Sequence, residues 1–249
     1  MPTVPIYPDN GLFRPASGTI RKPALVLGAT GEVGQAVVGA LLRAHWPVIA
    51  VAANRSALAT IERPEGASAD LVRLPGHTAT ETGGAALANA IRLLRRPPGA
   101  VVAMIGGDFT PGRLLDHPVE RLREKLDQDL FPHLVAARHL LPLLAENNGR
   151  GTYLLIGGPA AESPWAGYGH LSVSSAALRM LARALREETM GGPVRLQQLA
   201  VCAPLCTEGD RDDRCPDWPL PEELGQRVVD LLCAASDEPV VRFDRRRPL

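Results

Sequence analysis

The chain has little cysteine and lysine, no excess of either charge and no long apolar run, and each of these absences excludes a class of protein. Its 27 basic and 27 acidic residues cancel, which argues against a nucleic-acid partner or an acidic membrane surface, because both favour a basic face. No apolar stretch approaches the roughly 20 residues that span a bilayer. The N-terminus contains Pro2, Pro5 and Pro8 but no apolar signal core. We therefore expect an irregular arm over residues 1–22 and a cytoplasmic protein without membrane contact.

The cysteines are too few to form a disulfide scaffold in a chain of 249 residues. Only Cys202 and Cys206 lie close together, no histidine lies near them, and Cys202 falls in an apolar strand pattern where a buried thiol is ordinary. We therefore predict no metal site.

Apolar strand patterns alternate with amphipathic helix patterns along the chain, which is typical of a parallel sheet covered on both faces. The chain is long enough to bury the core of one α/β domain. We predict a single doubly wound domain over residues 23–249 with a sheet of about seven strands. The predicted strands are 24–28, 47–53, 69–74, 100–105, 151–156, 194–201 and 239–243. The predicted helices are 32–44, 56–62, 80–95, 118–146 with interruptions at Pro132 and Pro142, 168–188 and 221–235. The long irregular segment 204–220 is a candidate lid over a substrate, although a solvated loop without a role is an equal alternative.

A nucleotide-binding turn follows the first predicted strand. Gly28, Gly31 and Gly34 are spaced three apart between that strand and a helix, which is typical of a Rossmann-type domain. The first glycine permits a sharp turn, the second permits a diphosphate to approach the backbone, and the third permits the helix to pack on the strand. Thr30 and Val33 belong to the same predicted cofactor site. A tight turn without a ligand is the alternative.

The end of the second predicted strand favours NADP over NAD. An acidic residue there would bind the adenosine ribose of NAD, but the sequence continues from Ala53 into Asn54 and Arg55. Arg55 offers a guanidinium to a 2′-phosphate. A solvated arginine at the start of a helix is an equal alternative.

The glycine spacing and the order of elements from about Pro23 to Phe243 resemble the short-chain dehydrogenase/reductase family, in particular its atypical and extended branches. The resemblance implies a dinucleotide cofactor, and NADP is the one that Arg55 favours. After the fourth strand the family has Asn-Ala-Gly, whereas this chain has Gly106 and Gly107, which still permit the backbone to pass close to a ribose.

The residues that perform the family's chemistry are replaced. The family uses a tyrosine, a lysine four residues later, a serine and an asparagine to exchange a proton with the substrate. Aligned on Ser174-Ser175-Ala176-Ala177-Leu178, the four positions are Leu171, Ser175, Gly158 and Asp129. Neither Lys22 nor Lys125 is expected to lie near this helix, so no shift of the alignment restores the tyrosine and lysine pair.

Four other residues are candidates for catalysis. Tyr168 lies one turn before the vacant tyrosine position, and Ser172 follows it on the same helical face. His170 titrates near neutrality, and Asp129 is a candidate base if it points inward. Each residue also has a plain interpretation as a solvated or helix-start side chain. Asp108 and Glu162 follow the fourth and fifth strands, where ligands of such sheets bind, and are expected to face the same cleft.

Three classes of function remain open. The first is an oxidoreductase acting on a small molecule with a substitute proton donor. The second is a non-redox enzyme, such as a cyclase, isomerase, dehydratase or lyase, of secondary metabolism. The third is a protein that senses a nucleotide or metabolite. The resemblance also implies a homodimer or homotetramer through the helices at 118–146 and 168–188.

Overall fold

Seven parallel strands form one sheet in the computed structural model, which describes residues 21–107, 110–146, 150–206, 218–234 and 236–244. The strands are β1 (Ala24–Leu27), β2 (Val48–Ala52), β3 (Leu71–Pro75), β4 (Ala100–Ala103), β5 (Gly151–Gly157), β6 (Val194–Val201) and β7 (Val240–Phe243). The helices are α1 (Glu32–Arg43), α2 (Arg55–Ala59), α3 (Glu81–Leu93), α4 (Val119–Asp129), α5 (Phe131–Ala145), α6 (Gly169–Thr189) and α7 (Pro221–Cys233). The strand order β3-β2-β1-β4-β5-β6-β7 confirms the predicted doubly wound sheet.

Successive residues of the central strands enter two different cores because side chains alternate across a strand. Ala24 and Val26 of β1 face the core beneath α1 and α7. Leu25 and Leu27 face the core beneath α3, α5 and α6. Burial on both faces explains why these strands are continuously apolar in sequence.

The long predicted helix over 118–146 is divided once, between α4 and α5. Pro132 lies in the first turn of α5, which agrees with an interruption at that residue. The interruption predicted at Pro142 is wrong, because α5 continues through it to Ala145. Proline removes the hydrogen bond to the carbonyl of residue 138. Arg138 and Pro142 are both exposed, so water can hydrate that carbonyl and the helix persists.

Two predicted segments fall largely outside the described residues. Of the predicted arm, only residues 21 and 22 are described, and of the predicted lid only 204–206 and 218–220 are described. In the described ranges, every helix is too short or too polar to cross a membrane.

Candidate cofactor and substrate site

The three glycines of the turn after β1 differ in whether the packing of the chain requires a glycine at that position. Gly28 has φ +76°, and a side chain there would overlap the Met104 carbonyl. A side chain at Gly34 would overlap the Gly28 carbonyl. Gly31 has φ −68°, and the atom nearest to a Cβ placed on it is the Gly28 oxygen at 3.7 Å. The packing of the chain therefore requires Gly28 and Gly34, whereas at Gly31 it leaves room for a ligand.

The start of α1 faces this room. Gly31 is the residue that caps α1, and no side chain caps the helix there, so the first backbone N–H groups can meet an anion. The carbonyl of Thr30 accepts a hydrogen bond from Gln35 Nε2 at 3.0 Å. Val33 packs its side chain on the core, so it can offer a ligand only its backbone.

The residues after β2 lie beside the same turn, since the Ala29 N–H donates to the Val51 carbonyl. Asn54 caps α2 by accepting a hydrogen bond from the Ala57 N–H at 3.0 Å. Arg55 is exposed, and its side chain makes no hydrogen bond or ion pair with the described part of the chain. The guanidinium of Arg55 is therefore available to a 2′-phosphate, whereas the Asn54 side chain is used by the fold.

A buried histidine holds the segment that leads from β4 to Gly106 and Gly107. His133 Nε2 lies 2.9 Å from the Ile105 carbonyl, so this nitrogen carries the proton that it donates. Burial lowers the pKa of His133 to about 4, against the opposing effects of this hydrogen bond and of Asp129. His133 is therefore neutral at pH 7, and its hydrogen bond to Ile105 holds the backbone that leads to Gly106 and Gly107.

Lys125 and Asp129 form a buried ion pair on α4, directly below that segment. The Lys125 Nζ lies 3.1 Å from Asp129 Oδ1 and 3.2 Å from the Gly107 carbonyl. Asp129 Oδ1 also accepts the Gly107 N–H at 3.0 Å, and its Oδ2 accepts the Ser174 hydroxyl of α6 at 2.7 Å. The Asp129 side chain therefore points inward, which is the orientation that its candidate role as a base requires.

Sequence reasoning missed Lys125. Its distance along the chain from the α6 residues hides the fact that α4 and α6 pack together. The signal that could have found it is the spacing of four between Lys125 and Asp129, which places both on one helical face. A prediction that the Asp129 side chain points into the domain would therefore have implied that the Lys125 side chain does so as well.

A cavity of about 280 Å³ lies against this ion pair. Its walls come from the β4 loop, α4 and the start of α6, and are formed by Gly107, Thr110, Arg121, Glu124, Lys125, Gln128, His170 and Leu171. The His170 ring packs edge-on against His117, with 5.5 Å between centroids. Burial, then His117 and Arg121, lower the pKa of His170. Of the four predicted catalytic residues, His170 lines this cavity, and Asp129 lies just behind its wall.

Tyr168 and Ser172 are close to each other but are not among the residues that line the cavity. The Ser172 hydroxyl donates to the Tyr168 carbonyl at 3.1 Å and accepts the Trp165 N–H at 3.0 Å. It therefore stabilises the first turn of α6. The half-buried Tyr168 ring packs edge-on against Trp165 at 6.3 Å between centroids.

Glu162 is expected from the sequence to face the ligand cleft, and the contacts of its side chain correct this expectation. Its carboxylate binds Arg179 of α6 and Arg242 of β7 rather than facing the cavity. The hydrogen bond from Arg242 is the main reason why the pKa of Glu162 is lowered. The contacts of the two arginines draw the carboxylate away from the cavity. Asp108 lies outside the described residues.

Two of the positions aligned with the family's catalytic residues, Gly158 and Ser175, lie close together in the structure. A Cβ placed on Gly158, after β5, would stand 3.5 Å from the Ser175 hydroxyl oxygen of α6. Leu171, one turn earlier on α6, lines the cavity. Gly158 and Ser175 therefore lie at the same edge of the sheet as the glycine turn.

Solved structures of short-chain dehydrogenases share this fold. A short-chain oxidoreductase from Pseudomonas aeruginosa PAO1 that contains an atypical catalytic center has a TM-score of 0.78 at 19% identity, over 90% of this chain and 95% of that one. L-sorbose reductase from Gluconobacter frateurii, complexed with NADPH and L-sorbose, has a TM-score of 0.78 at 18% identity over 90% and 95%. Alcohol dehydrogenase from Thermococcus sibiricus, complexed with 5-hydroxy-NADP, has a TM-score of 0.77 at 18% identity over 92% and 100%. No family model and no curated protein matches the sequence. At sequence identities of 18% and 19%, the structural similarity shows that the chain shares the fold of these proteins.

Proposed function

We propose that the protein is an NADP(H)-dependent oxidoreductase that acts on a small molecule through a non-standard active site. The observation that carries the proposal is Gly31, the one glycine of the turn that the packing of the chain does not require. A ligand that approaches the start of α1 explains it. The NADP(H) forms bound to two of the structural neighbours support the choice of ligand.

The cofactor-binding residues follow from the geometry. The backbone of the Gly28–Gly34 turn would hold the diphosphate, Arg55 the 2′-phosphate, and the Gly106–Gly107 backbone the nicotinamide ribose. When bound, NADPH supplies a hydride. The residues of the chain bind and orient the cofactor and place the cavity beside it.

Arg55→Ala is expected to weaken NADPH binding by about 1–3 kcal/mol, because a charge-assisted contact to the 2′-phosphate is lost. NADH binding should stay nearly unchanged, since NADH lacks that phosphate. Calorimetric titration of both cofactors measures the two effects. Arg63, which is also exposed after α2, serves as the control in Arg63→Ala. Equal losses for NADPH and NADH would exclude the assigned contact.

His170 is the acid or base that the cavity favours, ahead of Tyr168, which is not among the residues that line the cavity. Once a substrate is found, His170→Gln should lower kcat/KM at least about tenfold, the low end for a positioned acid or base. Because the pKa of His170 is lowered, a neutral His170 base should keep kcat/KM level with falling pH to below pH 6.5. Tyr168→Phe is the comparison variant. A tenfold loss in Tyr168→Phe alone would instead assign the acid or base role to Tyr168.

A non-redox enzyme is the second candidate function, and Leu171 favours it. An apolar side chain on the cavity wall, at the position aligned with the family's tyrosine, supplies no proton to a carbonyl. Difference absorbance of NADPH beside a binding titration separates the candidates. Turnover of NADPH with a substrate supports the oxidoreductase. Binding without turnover supports the non-redox enzyme or a sensor.

Self-association through α5 and α6 is the proposed assembly. Phe131 and Leu134 of α5 are 47% and 42% exposed, and Val173 and Met180 of α6 are 39% and 60% exposed. We expect Phe131→Glu/Met180→Glu to shift the protein from dimer or tetramer toward monomer, because charges would be buried in the interface. Size-exclusion chromatography with light scattering measures the mass. Leu93→Glu on α3 is the control, and a monomeric parent protein would contradict the proposal.

A further inference from the structure

The wall that α4 contributes to the cavity carries charged side chains at helical spacing. Arg121 and Lys125 are four residues apart and therefore lie on one face. Both line the cavity, together with Gln128. Arg123, two residues from each cation, does not line it and is exposed.

The ammonium of Lys125 is fixed in place before any ligand arrives. Its side chain is 9% exposed and is held by Asp129 and the Gly107 carbonyl. The Asp129 carboxylate interacts with three donors, which are the Lys125 ammonium, the Ser174 hydroxyl and the Gly107 N–H. A preorganised cation of this kind loses little conformational entropy when an anionic group binds near it.

The charges at the mouth of the cavity are unequal. Burial is the main reason why the pKa of His170 is lowered, and Arg121 is one of the neighbouring groups that lower it further. Among the lining residues that the structure describes, Glu124 carries the opposing charge, and it is exposed to solvent. Solvent screens an exposed carboxylate more than it screens a buried cation.

We infer that the cavity receives a carboxylate group of a small substrate between Arg121 and Lys125. This inference rests on the proposed function in naming the substrate class of that enzyme. Arg121 supplies the planar donors that match a carboxylate, and Lys125 supplies a fixed positive charge. His170, at the start of α6, lines the same cavity as the bound group.

The test is a calorimetric titration of the full chain, with and without saturating NADPH, using three carboxylates and their neutral amides. The pairs are acetate and acetamide, malonate and malonamide, and succinate and succinamide. At least one carboxylate should bind at least tenfold more tightly than its amide. Arg121→Gln should abolish this preference, whereas the matched control Arg123→Gln should leave it unchanged.

A second variant works in the opposite direction and keeps the inference testable if Arg121→Gln is unstable. Glu124→Gln should tighten carboxylate binding about two- to fivefold, the range expected when one exposed like charge is removed. The inference is overturned if no carboxylate binds, if the amides bind equally, or if Arg123→Gln and Arg121→Gln lose the same affinity. Absence of NADPH binding would instead refute the proposed function, and a carboxylate preference measured without NADPH would still establish the anion site.

Discussion

Lys125→Met is expected to lower the free energy of unfolding by about 3 kcal/mol, because it leaves the Asp129 carboxylate buried without its counter-ion. The side chains of the pair are only 9% and 11% exposed. Asp129 keeps the hydrogen bonds from Ser174 and the Gly107 N–H, which places the loss at the low end of the range for a broken buried pair. Urea denaturation measures the change. The exposed Lys22, the other lysine of the chain, is the control in Lys22→Met and should change stability little.

The double variant Lys125→Met/Asp129→Leu separates a structural from a functional role of the pair. Replacing both charges with apolar groups is often neutral or stabilising, so the double variant should be more stable than Lys125→Met alone. If the pair serves the site, Lys125→Met should lose the carboxylate preference, and the double variant should not regain it. Recovery of both stability and ligand preference would show that the ion pair only supports the fold.

Gly31→Ala and Gly34→Ala are expected to have opposite consequences, although the two residues lie three positions apart. Gly34→Ala should cost about 1–3 kcal/mol of stability, as overpacking does, because the new methyl group overlaps the backbone of Gly28 and Ala29. Gly31→Ala should leave stability unchanged or raise it slightly, since its φ of −68° suits alanine. It should nevertheless weaken NADPH binding at least about tenfold, or 1.4 kcal/mol, by filling the room that the diphosphate would use.

Thermal unfolding and calorimetric NADPH titration of both variants provide the measurements. Gly39→Ala in the middle of α1 is the control, because a Cβ there meets only the flexible Arg43 side chain at 3.5 Å or more. If Gly31→Ala binds NADPH as the parent does, the turn is a structural feature alone. The main support for a dinucleotide site would then be lost.

The sequence by itself determined the sheet and the glycine turn, because both depend on local patterns. Strands buried on both faces must be continuously apolar, as in β1, and the helices between them must be amphipathic. A turn with φ +76° at Gly28 favours glycine whatever the rest of the chain does.

Only the tertiary structure decided which side chains meet at the end of that sheet. Lys125 is far from α6 in sequence, yet its partner Asp129 binds Ser174 at 2.7 Å. Glu162 follows β5 as expected, but arginines from α6 and β7 determine where its carboxylate lies. These contacts depend on how helices pack across many intervening residues. Local periodicity shows which face of a helix is buried, whereas the partner of that face is determined by the packing of the whole domain.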